Sequence, residues 1–95
     1  MTDQLNIEVQ DFKGIDLWNK IPATDIPMLV VYNSPKDIPN KVVARLWGCG
    51  KEGAQPTRFV AVRDTLAQIH EVIPAGLEKF KRALIDDPVI VETWI

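Results

Sequence analysis

Few residues in this chain are of a type that does chemistry unaided. Cys49 is the single cysteine and His70 the single histidine. Cys49 sits in Gly48-Cys49-Gly50-Lys51, where a neighbouring cation could lower the thiol pKa and the glycines would leave it exposed. A thiol nucleophile also needs a positioned base. His70 falls on an apolar helical stripe with nothing in the spacing to aim it at that segment, so Cys49 reads as an incidental loop cysteine and His70 as a residue at the boundary of the core. A zinc site needs three or four ligands at useful spacing, and one cysteine with one histidine does not supply them. The Gly-Cys-Gly-Lys stretch is no phosphate-binding loop either: Glu52 stands where a hydroxyl is needed, and a strand follows where a helix should open. Asp86, Asp87 and Glu92 do not form a carboxylate pair, because adjacent residues of an extended segment point to opposite sides. Enzymatic readings therefore lack a second group, and no cofactor is implied.

The remaining chemistry is electrostatic and aromatic. The net charge is −2, but residues 41–63 carry Lys41, Arg45, Lys51, Arg58 and Arg63 against Glu52 alone, between two acidic flanks. Such a centre could meet nucleic acid or an acidic partner, or pair with the protein's own acids, the last being the plainest outcome. Length and composition fit one small globular domain, with 95 residues and 46% hydrophobic content. No apolar run approaches the roughly 20 residues of a spanning helix, so no membrane association is expected. The opening residues show no secretory pattern, and the lone cysteine cannot form an internal disulfide, which together point to a cytoplasmic protein.

The elements that would position these residues are legible from Met28 onward. Residues 1–27 read as an N-terminal arm or linker. Leu5, Ile7 and Val9 alternate as in a short strand there, Trp18 offers a docking side chain, and Pro22 and Pro27 enforce extended backbone. Residues 28–95 read as the core domain. Strands are predicted at 28–32, 41–47, 57–62 and 89–95, with a flexible hairpin loop over 48–56. Thr65-Leu66-Ala67-Gln68 fits a capping box opening a helix with the stripe Leu66, Ile69, His70 and Ile73. A second short helix is predicted over 77–84, with Glu78 pairing with Arg82, and Asp86-Asp87-Pro88 makes a turn. The order β-β-β-α-α-β gives an α+β fold: a single, mostly antiparallel sheet of four to five strands with one or two helices on one face.

Tyr32–Asp37, Val43–Trp47 and Asp86–Ile95 resemble segments of short uncharacterised bacterial proteins, over about residues 28–95. The resemblance implies that the core begins near Met28, and it carries no activity and no functional residue.

If helices cover the side bearing Val42, Ala44, Leu46, Val89 and Val91, the other side carries Arg45, Trp47, Ile90, Glu92 and Trp94. Arginines beside aromatics are typical of protein-binding hot spots and can also stack on bases. Self-association or docking of the arm ranks first as cover for this face, a protein partner second and nucleic acid third. The functional expectation is a non-enzymatic interaction module, with a homodimer or other protein as partner, acting through Lys41, Arg45, Trp47, Arg58 and Trp94. The alternative is a nucleic-acid-binding domain using the basic 41–63 hairpin.

Overall fold

The computed structural model describes residues 6–80 and 89–95. Six strands form one mixed sheet: β1 (Ile7–Glu8), β2 (Ile26–Asn33), β3 (Val42–Gly50), β4 (Gly53–Arg63), β5 (Lys79–Phe80) and β6 (Ile90–Trp94), in the order β1-β4-β3-β2-β6-β5. All pairings are antiparallel except that of β1 with β4. The α+β expectation of one mostly antiparallel sheet holds at this level, with more strands than foreseen. Among the described residues there is one α-helix, α1 (Leu66–His70), and a 3₁₀ turn at Leu17–Lys20. None of these helices is long and apolar enough to cross a membrane.

α1 starts where the sequence directs. Thr65 Oγ1 accepts from the Gln68 amide at 3.2 Å, and Gln68 Oε1 accepts from the Thr65 amide at 3.2 Å, which satisfies two otherwise free donors. Ile69 and Ile73 turn inward as the stripe implies, joined by Val72, while Leu66 and His70 stay exposed. The second helix is not formed where residues 77–80 are concerned. Gly76 takes φ 98°, and Glu78 and Ile95 then exchange backbone hydrogen bonds of 2.7 and 3.0 Å. The ladder of β6 thus captures this stretch as an edge strand; the remainder of the expected helix, the Glu78–Arg82 pair and the 86–88 turn lie outside the described residues.

One face of the sheet carries Leu29, Val31, Val42, Ala44, Leu46 and Ala61 beneath α1 and Val72. Residues preceding β2 complete this cover. Phe12, Leu17 and Ile21 are buried in the same cluster, and the Phe12 amide bonds to the Val72 carbonyl at 3.0 Å. Trp18, the docking side chain expected from the sequence, is instead exposed, because the 3₁₀ turn presents Leu17 to the sheet.

The 48–56 segment is no flexible loop. β3 runs through Gly50, β4 begins at Gly53, and Gly50 pairs with Gly53 across Lys51-Glu52. Gly53 accepts φ 101°, a conformation that costs a residue with a side chain. Gly48 and Gly50 serve a different need, since the Asp25 carboxylate lies directly on their backbone. A Cβ at Gly48 would stand 2.8 Å from Asp25 Oδ2, and one at Gly50 would collide with Asp25 Oδ1. Gly50→Ala should therefore lower stability by about 1–3 kcal/mol, the cost of overpacking. Adding Asp25→Ala should recover most of that loss in urea denaturation. Equal losses with and without Asp25 would show that the carboxylate is not what the glycines accommodate.

Candidate functional site

Two irregularities in the ladders decide where the reactive and aromatic side chains point. In the β3–β4 pair, Arg45 faces Val60 and Trp47 faces Pro56, so Thr57, Arg58 and Phe59 stand opposite Leu46 alone. Thr57 Oγ1 satisfies the Leu46 carbonyl at 2.7 Å and accepts from the Phe59 amide at 3.1 Å, which stabilises the bulge. Two extra residues preserve the alternation, so Pro56 stays on the face of Trp47 while Arg58 is lifted outward.

In the β2–β6 pair, Tyr32 faces Ile90 and Val31 faces Glu92, leaving Val91 as a single extra residue. One extra residue inverts the alternation beyond it. Arg45, Trp47 and Ile90 do lie opposite Val42, Ala44 and Leu46, as the sequence pattern requires. Glu92 and Trp94 do not join them: the bulge turns both to the α1 face, where Trp94 packs on the core and Glu92 meets His70. The sequence-based surface is thereby divided.

Arg45, Trp47 and Arg58 line one concavity of about 370 Å³, together with Tyr32, Pro35, Pro56, Asn6, Asp37, Val43 and Thr57. Its floor is fixed by a hydrogen bond of 3.0 Å from Trp47 Nε1 to the Tyr32 hydroxyl. Arg45 is held by three partners. Its Nη1 donates to the Thr57 carbonyl at 2.9 Å and to Asn6 Oδ1 at 3.1 Å, and its Nη2 donates to Asp37 Oδ2 at 3.1 Å. Lys41 lies away from this concavity and pairs with Asp64, a contact that holds the exposed Asp64 carboxyl below its usual range, through hydrogen bonding first and charge second. The sequence pattern could have offered Tyr32, which shares the alternation of Trp47 across the β2–β3 pair. Asn6, Asp37 and the two prolines carry no such signal.

The basic block is largely consumed internally. Lys41 pairs with Asp64, Arg45 with Asp37, and Arg63 donates to the Val62 and Gln10 carbonyls. Among the described residues, Lys51 and Arg58 are the members of the block without such a contact.

On the opposite face, Glu92 is 7% exposed and gathers donors from three elements. His70 Nε2 lies 2.8 and 2.9 Å from its two oxygens, Trp94 Nε1 donates at 3.0 Å, and Lys79 Nζ is 3.9 Å away. The His70 and Trp94 rings meet edge-on with centroids 5.8 Å apart. A histidine oriented by a carboxylate is half of a nucleophilic constellation. Cys49 does not supply the other half, because it lies on the far face, packed with Met28, Val30 and Ile90. Its Sγ is 3.6 Å from Met28 Sδ, and burial, with Asp25 adding to it, pushes the thiol pKa up rather than down. Among the described residues no three histidine, cysteine or carboxylate side chains gather where a metal could be held. The Glu92 cluster is thus a clasp tying α1 and β5 to β6.

Two measurements check these assignments. Glu92→Ala should cost about 1–3 kcal/mol in denaturant unfolding, from the loss of hydrogen bonds to a buried charged acceptor. Glu92→Gln, whose amide oxygen can still accept from Trp94, should cost less. Iodoacetamide at pH 8 should alkylate Cys49 more slowly in the folded protein than in urea, since a raised thiol pKa leaves less thiolate. A native rate above the unfolded one would contradict the placement of the thiol. Comparison of the chain with family models, with curated proteins and with solved structures finds no match, so the meaning of the site rests on its geometry.

Proposed function

We propose that this chain is a non-enzymatic interaction module that binds an extended segment of a partner protein in the Arg45/Trp47/Arg58 concavity. The observation carrying this reading is the convergence of those three side chains, with Tyr32 and two prolines, on one rigidly supported floor. Tryptophan, tyrosine and arginine are the residue types that dominate binding energy at protein interfaces. A volume near 370 Å³ that is open to solvent suits a few side chains of an extended segment. The electrostatics favour an acidic segment, because two guanidinium groups and one carboxylate line the site. The lone cysteine, with no intramolecular partner for a disulfide, is in keeping with a cytoplasmic setting.

Nucleic-acid binding is less well supported. Of the five bases of the block only Arg45 and Arg58 line the concavity, so a backbone bound there would have about two phosphates neutralised and a salt slope of only about −2 on logarithmic axes.

Selection of displayed random peptides on the immobilised protein should enrich sequences that lose at least about tenfold in affinity on Arg58→Glu, a loss of one charge-assisted contact. Arg58 is exposed, so this substitution should leave the fold intact. Absence of enrichment, or enriched peptides that bind Arg58→Glu equally well, would overturn the reading. Sedimentation velocity across micromolar concentrations identifies the case in which the segment belongs to a second copy: a dimer that Arg58→Glu dissociates.

A further inference from the structure

We infer that Arg45 is the carboxylate-binding centre of this concavity, that Asp37 occupies it in the free protein, and that an acidic side chain of the partner segment takes its place. The inference rests on the interaction-module reading and specifies its ligand.

Arg45 is prepared for an anion before any ligand arrives. Its side chain is 16% exposed and sits mid-strand on β3. The Thr57 carbonyl and Asn6 Oδ1 hold Nη1, so the bulge backbone and the Asn6 amide orient the guanidinium independently of its acidic neighbour. Asp37 is the weaker party. It is 54% exposed and reaches Nη2 through Oδ2 alone, an oxygen that also accepts from Asn6 Nδ2 at 3.3 Å. Guanidinium and carboxylate bind best as two parallel hydrogen bonds, which this contact does not achieve. An ion pair with one member so exposed contributes at most about 1 kcal/mol, so releasing it costs little.

The segment that carries Asp37 allows the exchange without unfolding anything. The chain between β2 and β3 is clamped at its base, where the Ser34 amide donates to the Lys41 carbonyl at 2.8 Å and the Asn40 amide to Ser34 Oγ at 3.0 Å. Pro35 is buried against the concavity and anchors the near side. Asp37 lies between these fixed points, and rotation of its side chain frees Nη2. Arg58 stands at the same rim with no acidic partner among the described residues, so two cations face one internal anion. The site can therefore accept one further carboxylate even before Asp37 leaves, with Trp47 and Tyr32 beneath the flanking residues.

The blocked peptides Ac-Pro-Glu-Pro-NH2 and Ac-Pro-Gln-Pro-NH2 test this, with the Trp47 indole N–H and Arg45 Nε–H followed by nitrogen-edited NMR. The glutamate peptide should bind at least about tenfold more tightly than its glutamine counterpart. Asp37→Asn, a substitution at an exposed position, should tighten the glutamate peptide by about fivefold and leave the glutamine peptide unchanged. Equal affinities for the two peptides would overturn the carboxylate assignment while leaving the module reading in place. Weaker binding of the glutamate peptide to Asp37→Asn would overturn the exchange. A Trp47 indole unmoved by either peptide overturns the inference too, and the displayed-peptide selection then decides the module reading separately.

Discussion

Met28, Leu29, Val30 and Val31 are all fully buried, although successive side chains of a strand point to opposite faces. β2 is therefore apolar on both sides, and the rest of the molecule is arranged to cover both. Each of these side chains contributes about 1.5–3 kcal/mol by leaving water, so neither face can be left open in a chain with so thin a stability margin. The face bearing Leu29 and Val31 is covered by α1, Val72 and the Phe12–Ile21 segment. On the face bearing Met28 and Val30, side chains of the sheet itself do part of this work: Tyr32, Trp47 and Cys49 pack around Met28, Val30 and Ile90. Tyr32 and Trp47, which cover this small core, also line the candidate site.

Two bulges of different parity then determine which chemistry the depression receives. The β4 bulge inserts two residues against Leu46, keeps Pro56 on the aromatic face and projects Arg58 at its rim. The β6 bulge inserts one residue and carries Glu92 and Trp94 to the other face. In a regular strand continuing from the Tyr32–Ile90 pair, Glu92 would fall opposite Val30, on the Arg45 side of the sheet. The bulge instead sets Glu92 against His70, Trp94 and Lys79, so the same irregularity fastens α1 and leaves Arg45 to a weaker internal partner.

The parts legible in the sequence are those fixed by short-range rules. The capping box at Thr65–Gln68 and the strands around 28–32, 41–47 and 57–62 follow from residue type and spacing within a few positions. The alternation of Arg45 and Trp47 against Ala44 and Leu46 is equally local. What escaped depends on pairing between distant segments. A bulge is a property of two strands in register, so nothing near Val91 announces that Trp94 will leave the face of Trp47. Docking of Phe12, Leu17 and Ile21 on the sheet, and the contact between His70 and Glu92, are long-range in the same sense. The Gly48–Gly53 stretch misleads for another reason: glycine is usually read as a mark of flexibility, whereas Gly48 and Gly50 are there to admit the Asp25 carboxylate against a regular strand.

The charge pattern shows how topology converts a linear signal into a specific one. Along the chain, the basic centre between two acidic flanks suggests a surface for polyanions. In the fold, β3 and β4 are central strands, and acids of both flanks are brought to their bases: Asp37 from the preceding turn reaches Arg45 in mid-strand, and Asp64 from the turn into α1 reaches Lys41 at the strand end. Two of the five positive charges of the block, those of Lys41 and Arg45, are thereby paired with acids at short range. Arg58 is exposed at the bulge, and Arg45 is held by a carbonyl and an amide while its acidic neighbour is half solvated. Two cations, one anion and two aromatic rings are therefore what the concavity presents to a ligand.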